Sequence, residues 1–214
     1  MKIDQLIEQY VLSHIEEEDP LLARIFRDTY VKLVNGRMCS GHLQGSLLIL
    51  LSQLVNPSRI LEIGTYTGYS ALCLVKGLAH NGILHTIEIN DEYESFASKY
   101  FAEAGMGNKI VQHIGDAEEV IPLINESFDL IFLDADKRKY ISHYNLVFPK
   151  VRIGGIIIAD NTLWAGKVVE KVVRADEQTK GIMQFNDFVK DDNRVETFII
   201  PVRDGMTILR KIAD

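Results

Sequence analysis

The chain has 214 residues, 47% of them hydrophobic and 25% charged, an ordinary balance for an enzyme-sized protein that is long enough to bury a large core. This excludes a disordered chain, and no apolar run approaches the roughly 20 residues of a membrane span. With 23 basic and 30 acidic residues the formal charge is −7, which disfavours a polyanionic partner, although Arg24, Arg27, Lys32 and Arg37 are close enough in sequence to form a local basic patch.

The opening stretch, MKIDQLIEQYVLSHIEEEDP, scatters acids among its apolar positions and lacks the apolar run and cleavage site of a secretory signal. Leu6, Ile7, Tyr10, Val11, His14 and Ile15 recur at helical spacing, so a first helix is expected to end near Glu18. A second is expected from Pro20 to about Val34, where Asn35-Gly36 breaks it, and a third from Gly45 to Leu54. The two cysteines, Cys39 and Cys73, suggest neither a disulfide framework nor a zinc cluster, and an intracellular, cytoplasmic protein is expected.

After Asn56-Pro57 the pattern changes to short apolar runs, RILEIG (59–64), ILHTIEI (83–89), KIVQHIG (109–115), FDLIFLD (128–134) and GGIIIAD (154–160), which read as strands. Helices are expected between them at 69–80, 91–104, 116–124 and 137–149, the alternation of a parallel sheet covered on both faces. RVETFIIP (194–201) and GMTILRKI (205–212) are separated by three residues, suited to an antiparallel hairpin. The predicted architecture is a doubly wound, Rossmann-like α/β domain over 1–214, with 1–55 as a helical N-terminal extension.

LEIGTYTGYS follows the first strand and leads into a helix, where such folds bind nucleotides. Its Gly64 and Gly68 make G-x-x-x-G rather than the G-x-G-x-x-G that seats a dinucleotide pyrophosphate. Glu88 ends the second strand, where a carboxylate can accept hydrogen bonds from both ribose hydroxyls. A free ribose, a glycine turn without phosphate chemistry and an acid at Glu62 fit S-adenosylmethionine (SAM) better than NAD. GDA (115–117) could border the adenine, although Asp116 could equally be a helix N-cap.

FLDADK and IADNTLW close the fourth and fifth strands, which should be neighbours. Asp134, Asp160 and the amide oxygen of Asn161 then offer hard oxygen ligands, ranking Mg²⁺ first, with Mn²⁺ and Ca²⁺ as alternatives. A capped turn at Asp160-Asn161, and a helix cap at Asp136, are the bland readings of the same residues.

Taken together, LEIGTYTGYS, IEIN, FLDADKRKY and ADNTLWAG resemble the motifs of the cation-dependent SAM O-methyltransferases, the family of the catechol and caffeoyl-coenzyme A enzymes. The resemblance covers about residues 36–212. It implies a seven-stranded mixed sheet with one antiparallel strand, metal ligands at Asp134, Asp160 and Asn161, and a general base at Lys137. It also implies cofactor contacts at Gly64, Tyr66, Ser70, Glu88, Ala117 and Asp134, with Met38 and Ser40 on the preceding loop and Asp136 as support near the cofactor.

The activity implied is methyl transfer to a hydroxyl of a small ortho-dihydroxy aromatic, with Trp164 as an apolar wall. Ser40 and Gln44 stand where plant relatives tend to have Thr and Glu. The alternative acceptor is 5-hydroxyuridine in tRNA, weighed against by the net charge. A non-catalytic cofactor-binding protein and an NAD-dependent oxidoreductase are the readings of other classes. The N-terminal helices are expected to cap the site or to form a homodimer contact; no membrane partner is expected.

Overall fold

The buried runs of the sequence become the centre of a sheet because each is apolar on both faces and bounded by turn residues. A computed structural model describes residues 5–171 and 176–214. Its strands are β1 (Arg59–Ile63), β2 (Ile83–Glu88), β3 (Ile110–Ile114), β4 (Phe128–Leu133), β5 (Val151–Asp160), β6 (Val195–Ile200) and β7 (Met206–Lys211). They form one seven-stranded sheet in the order β3-β2-β1-β4-β5-β7-β6. β7 pairs antiparallel with both β5 and β6, so it alone opposes the other strands. The mixed sheet and the closing hairpin are therefore as expected.

Among the described residues eight α-helices flank it: α1 (Gln5–Leu12), α2 (Pro20–Lys32), α3 (Gly41–Val55), α4 (Tyr69–Leu74), α5 (Glu94–Glu103), α6 (Ala117–Val120), α7 (Tyr140–Val147) and α8 (Glu177–Asp191). One sheet face packs on α2 to α5 through Ile25, Leu48, Leu72 and Phe101; the other packs on α6 to α8 through Ala117, Tyr144 and Phe185. Strand order reverses between β1 and β4, which opens a crevice at their carboxyl ends.

Some elements differ from expectation. α1 stops at Leu12 rather than near Glu18, because the Ser13 hydroxyl and His14 Nδ1 both turn back to the carbonyl of Tyr10, at 2.8 and 2.7 Å. The acids that follow serve as a strap instead: Glu18 accepts from the Tyr69 hydroxyl at 2.6 Å, and Asp19 caps α2 through the Leu21 N–H. β5 begins at Val151 rather than at 154, pairing with Phe128 across an irregularity in register. α8 was not expected, yet Asp176 caps it at Thr179 and its Ile182, Phe185 and Val189 are buried.

Among the described residues one helical segment, 36–55, is long and apolar enough to cross a membrane by length and composition, contrary to the expectation of none. Here its Gln44, Leu48 and Ser52 are buried against the rest of the fold.

Candidate active site

The turn after β1 can only be made by glycine. Gly64 has φ +102°, and a Cβ there would stand 2.0 Å from the carbonyl oxygen of Asp134, so the turn lies directly on the exit of β4. Tyr66, at φ +46°, points its N–H at Glu88 Oε2, 2.7 Å away, and Glu88 Oε1 accepts from the Asn90 N–H at 2.9 Å. Each oxygen of the buried Glu88 carboxylate is thus fixed by one backbone donor, leaving further lone pairs for a ligand.

Behind this turn Glu62 is fully buried, its Oε2 accepting from the Thr86 hydroxyl at 2.6 Å and its Oε1 without a partner among the described residues. Burial pushes its carboxyl up to about 8, against the pull of the Ser70 and Thr86 hydroxyls. Ser40, Glu62 and Ser70 are placed behind the cavity wall rather than on it, whereas Met38, Gly64, Tyr66, Glu88 and Ala117 line it. Asp116, the alternative cap in GDA, does cap α6, accepting from the Glu118 N–H.

At the exit of β4 the three charges are separately engaged. Asp136 caps the turn at Arg138, and the Arg138 guanidinium beside it holds its carboxyl down to about 2. Gln178 on α8 clasps this turn, donating to Asp136 Oδ1 and accepting from the Lys137 N–H, each at 3.1 Å. Lys137 is buried, and its ammonium donates to Asp134 Oδ1 at 2.8 Å and to the Tyr140 hydroxyl at 2.7 Å. Burial works against that charge, but Asp134, Tyr140 and Asp160 together outweigh it and raise the Lys137 pKa, so the amine is held protonated. The Tyr140 hydroxyl in turn lies 3.0 Å from the carbonyls of Leu133 and Asp160, tying β4 to β5.

Asp160 ends β5, 4% exposed, and both burial and the charge of Asp134 push its carboxyl up. Asn161 follows at φ +56°, a left-handed residue whose N–H closes on Asp160 Oδ1 at 2.8 Å. The charge of Asp134 disfavours that of Asp160, and with the neighbouring Asn161 amide oxygen the two acids offer hard donors that would suit a divalent cation. Among the described residues no group of three His, Cys, Asp or Glu side chains is placed to hold a metal.

Glu88, Ala117, Asp134, Asp160, Asn161 and Trp164 line one cavity of about 880 Å³. Its wall carries polar atoms with no partner among the described residues: the Tyr66 hydroxyl, the Trp164 Nε1 and both ring nitrogens of His143. The sequence reading missed His143, Gln178 and Arg203 in this wall. Only Gln178 carried a signal, being one turn into a helix that Asp176 could have announced.

A sequence-family model described as O-methyltransferase matches residues 12–212. The chain is 34% identical to a caffeoyl-CoA O-methyltransferase of Mesembryanthemum crystallinum, over 96% of this chain and 85% of that one. It is 33% identical to the caffeoyl-CoA O-methyltransferase of Petroselinum crispum, covering 96% and 90%. Among solved structures it resembles the O-methyltransferase TomG of Streptomyces achromogenes, involved in tomaymycin synthesis and solved in complex with SAM, with TM-score 0.88, 28% identity and coverage of 97% and 96%.

Fold and relatives together define a SAM-dependent methyltransferase. Within that class the chain belongs to the O-methyltransferase family of the caffeoyl-CoA and catechol type.

Proposed function

We propose that the protein transfers the methyl group of SAM to one hydroxyl of a small ortho-dihydroxy aromatic, with a divalent cation, Mg²⁺ first, held by Asp134, Asp160 and Asn161. The observation that carries this reading is that the half-buried Asp134, the buried Asp160 and the Glu88 cradle line one cavity. Relatives named caffeoyl-CoA O-methyltransferase support the aromatic acceptor. When bound, the cation would supply orientation of two adjacent hydroxyls and a lowered pKa for one of them.

The chain's own residues do the rest. Glu88 accepts the ribose hydroxyls, Tyr66 and Met38 flank the cofactor, and Ala117 borders its base. Trp164 lies against the acceptor ring, with its indole N–H free for a polar edge. Lys137 Nζ, after releasing its own proton to water, takes the acceptor's proton as the oxygen–methyl bond forms and the sulfur–methyl bond breaks. That role needs the hold of Asp134 on the ammonium to be loosened, which follows once the Asp134 carboxylate is shared.

Two of the four residues of the basic patch considered for RNA are already engaged, Arg24 with Glu103 and Lys32 with Asp28. A cytoplasmic location is supported by the free, buried Cys39 and Cys73, and a homodimer by the exposed Ile7, Tyr10 and Tyr30 of the N-terminal helices.

The test is a radiolabelled methyl-transfer screen over catechols, caffeoyl esters, flavonoids and hypomodified tRNA, with and without chelation. Transfer to a catechol-type acceptor that EDTA abolishes and Mg²⁺ restores is expected. Full activity after exhaustive chelation would sink the metal, and transfer to tRNA alone would sink the acceptor.

A further inference from the structure

We propose that Gln44 and Arg203 are positioning residues for Asp160, fixing which lone pairs of its carboxylate stay free for the cation. The inference rests on the metal reading above and extends it to two residues outside the ligand set.

Gln44 lies on α3, 3% exposed and 116 residues from Asp160 in sequence, yet its Nε2 donates to Asp160 Oδ2 at 2.6 Å. Its Oε1 accepts from Arg203 Nη1 at 2.9 Å. A guanidinium can only donate and a carboxylate only accept, so one orientation of the amide satisfies both neighbours. Arg203 therefore determines that Gln44 presents an N–H, not an oxygen, to Asp160. The other carboxylate oxygen is held by the Asn161 N–H. With one donor on each oxygen the carboxylate cannot rotate, and one lone pair on each remains.

The chemistry of the donor matters as much as its position. An amide N–H orients a carboxylate without neutralising it, whereas an ammonium would compete with a cation for the same charge. The buried ammonium nearby, Lys137, is hydrogen-bonded to Asp134 and Tyr140, not to the Asp160 carboxylate. Arg203 itself sits at φ +51°, a left-handed conformation that residues with a Cβ rarely adopt, and is tied to the carbonyl of Cys39 at 3.4 Å as well as to Gln44. Strain of this kind persists where surrounding contacts over-determine it, often at functional sites.

The test is Mn²⁺ binding, read from the electron paramagnetic resonance of the free ion, to the full chain saturated with S-adenosylhomocysteine (SAH). Gln44→Leu keeps the volume and removes both bonds; it should weaken Mn²⁺ binding about tenfold or more. Arg203→Gly, which the positive φ favours, should weaken it severalfold while leaving the melting temperature unchanged or raised, so the inference is decided even if the leucine variant folds poorly. Because Arg203 acts through Gln44, the double variant should bind no worse than Gln44→Leu, and SAH affinity should stay within about twofold throughout. Wild-type Mn²⁺ affinity in a folded Gln44→Leu, or unchanged affinity in Arg203→Gly, overturns the inference, as do losses that multiply in the double variant. A wild-type protein that binds no Mn²⁺ overturns the metal reading itself, and this inference with it.

Discussion

Lys137 and Glu62 are both buried titratable groups, and their environments push them to opposite uses. Lys137 is held charged beside Asp134, next to the carboxylates proposed for the cation, and accepts a proton there only after losing its own. Lys137→Ala is expected to lower turnover about 100-fold or more while changing SAH affinity little, because the side chain faces the reacting end rather than the Glu88 end. Unchanged turnover at saturating substrate would remove the base role. Glu62, by contrast, is kept protonated by burial, with a folded pKa of about 8 against an ordinary 4.5. Between those values the unfolded chain has lost its proton and the folded one has not, so this group's contribution to stability falls as pH rises through the window. Glu62→Gln should therefore gain over wild type in ligand-free melting temperature, with a gap that widens from pH 5 to pH 8. A gap independent of pH would show that the carboxyl does not titrate there.

At the scale of elements, α8 does more for the site than its distance in sequence suggests. A Cβ at Gly181 would stand 2.6 Å from the Lys137 carbonyl oxygen and 2.9 Å from the Arg138 Cα, so the helix packs backbone against backbone on the Lys137 turn. Gly181→Ala gains up to about 1 kcal/mol of helix propensity but forces an overpacking that typically costs about 1–3 kcal/mol. The expected outcome is a lower melting temperature together with lower turnover, as Gln178 and the turn it clasps are displaced. A stabilised variant of full activity would show that the contact yields freely.

The same element marks where the sequence ceased to be legible. Strands β1, β2 and β4 were readable because burial on both faces makes them continuous apolar runs, and Gly64, Glu88, Asp134 and Asp160 follow from being at or beside their ends. The apolar stripe of α8 is narrow, with Glu177, Lys180, Asp187 and Lys190 around it, so no apolar run announced it. Gly154-Gly155 hid the start of β5, where backbone pairing continues without side-chain pattern. Gln178 and Arg203 owe their roles to partners 41 and 159 residues away, a placement no local spacing encodes.

For the molecule as a whole, the cavity sits where strand order reverses, and its walls come from the exits of β1, β2, β3, β4 and β5. A ligand there bridges both halves of the sheet, so its binding free energy becomes unfolding free energy of the whole chain. SAH at a hundred times its dissociation constant adds about 2.7 kcal/mol. For a chain of this size each kcal/mol raises the melting temperature by about 2–4 °C, giving a shift of about 5–10 °C. NAD should give none, since the turn at Gly64 and Gly68 lacks the spacing that seats a pyrophosphate. Mg²⁺ added after SAH should raise the midpoint again, by relieving the repulsion between Asp134 and Asp160. Asp160→Ala should abolish that second increment and keep the first, because Glu88 and the Gly64 turn are untouched. A Mg²⁺ increment that survives in Asp160→Ala would remove Asp160 from the ligand set, and an NAD shift equal to that of SAH would overturn the cofactor specificity argued from the first turn.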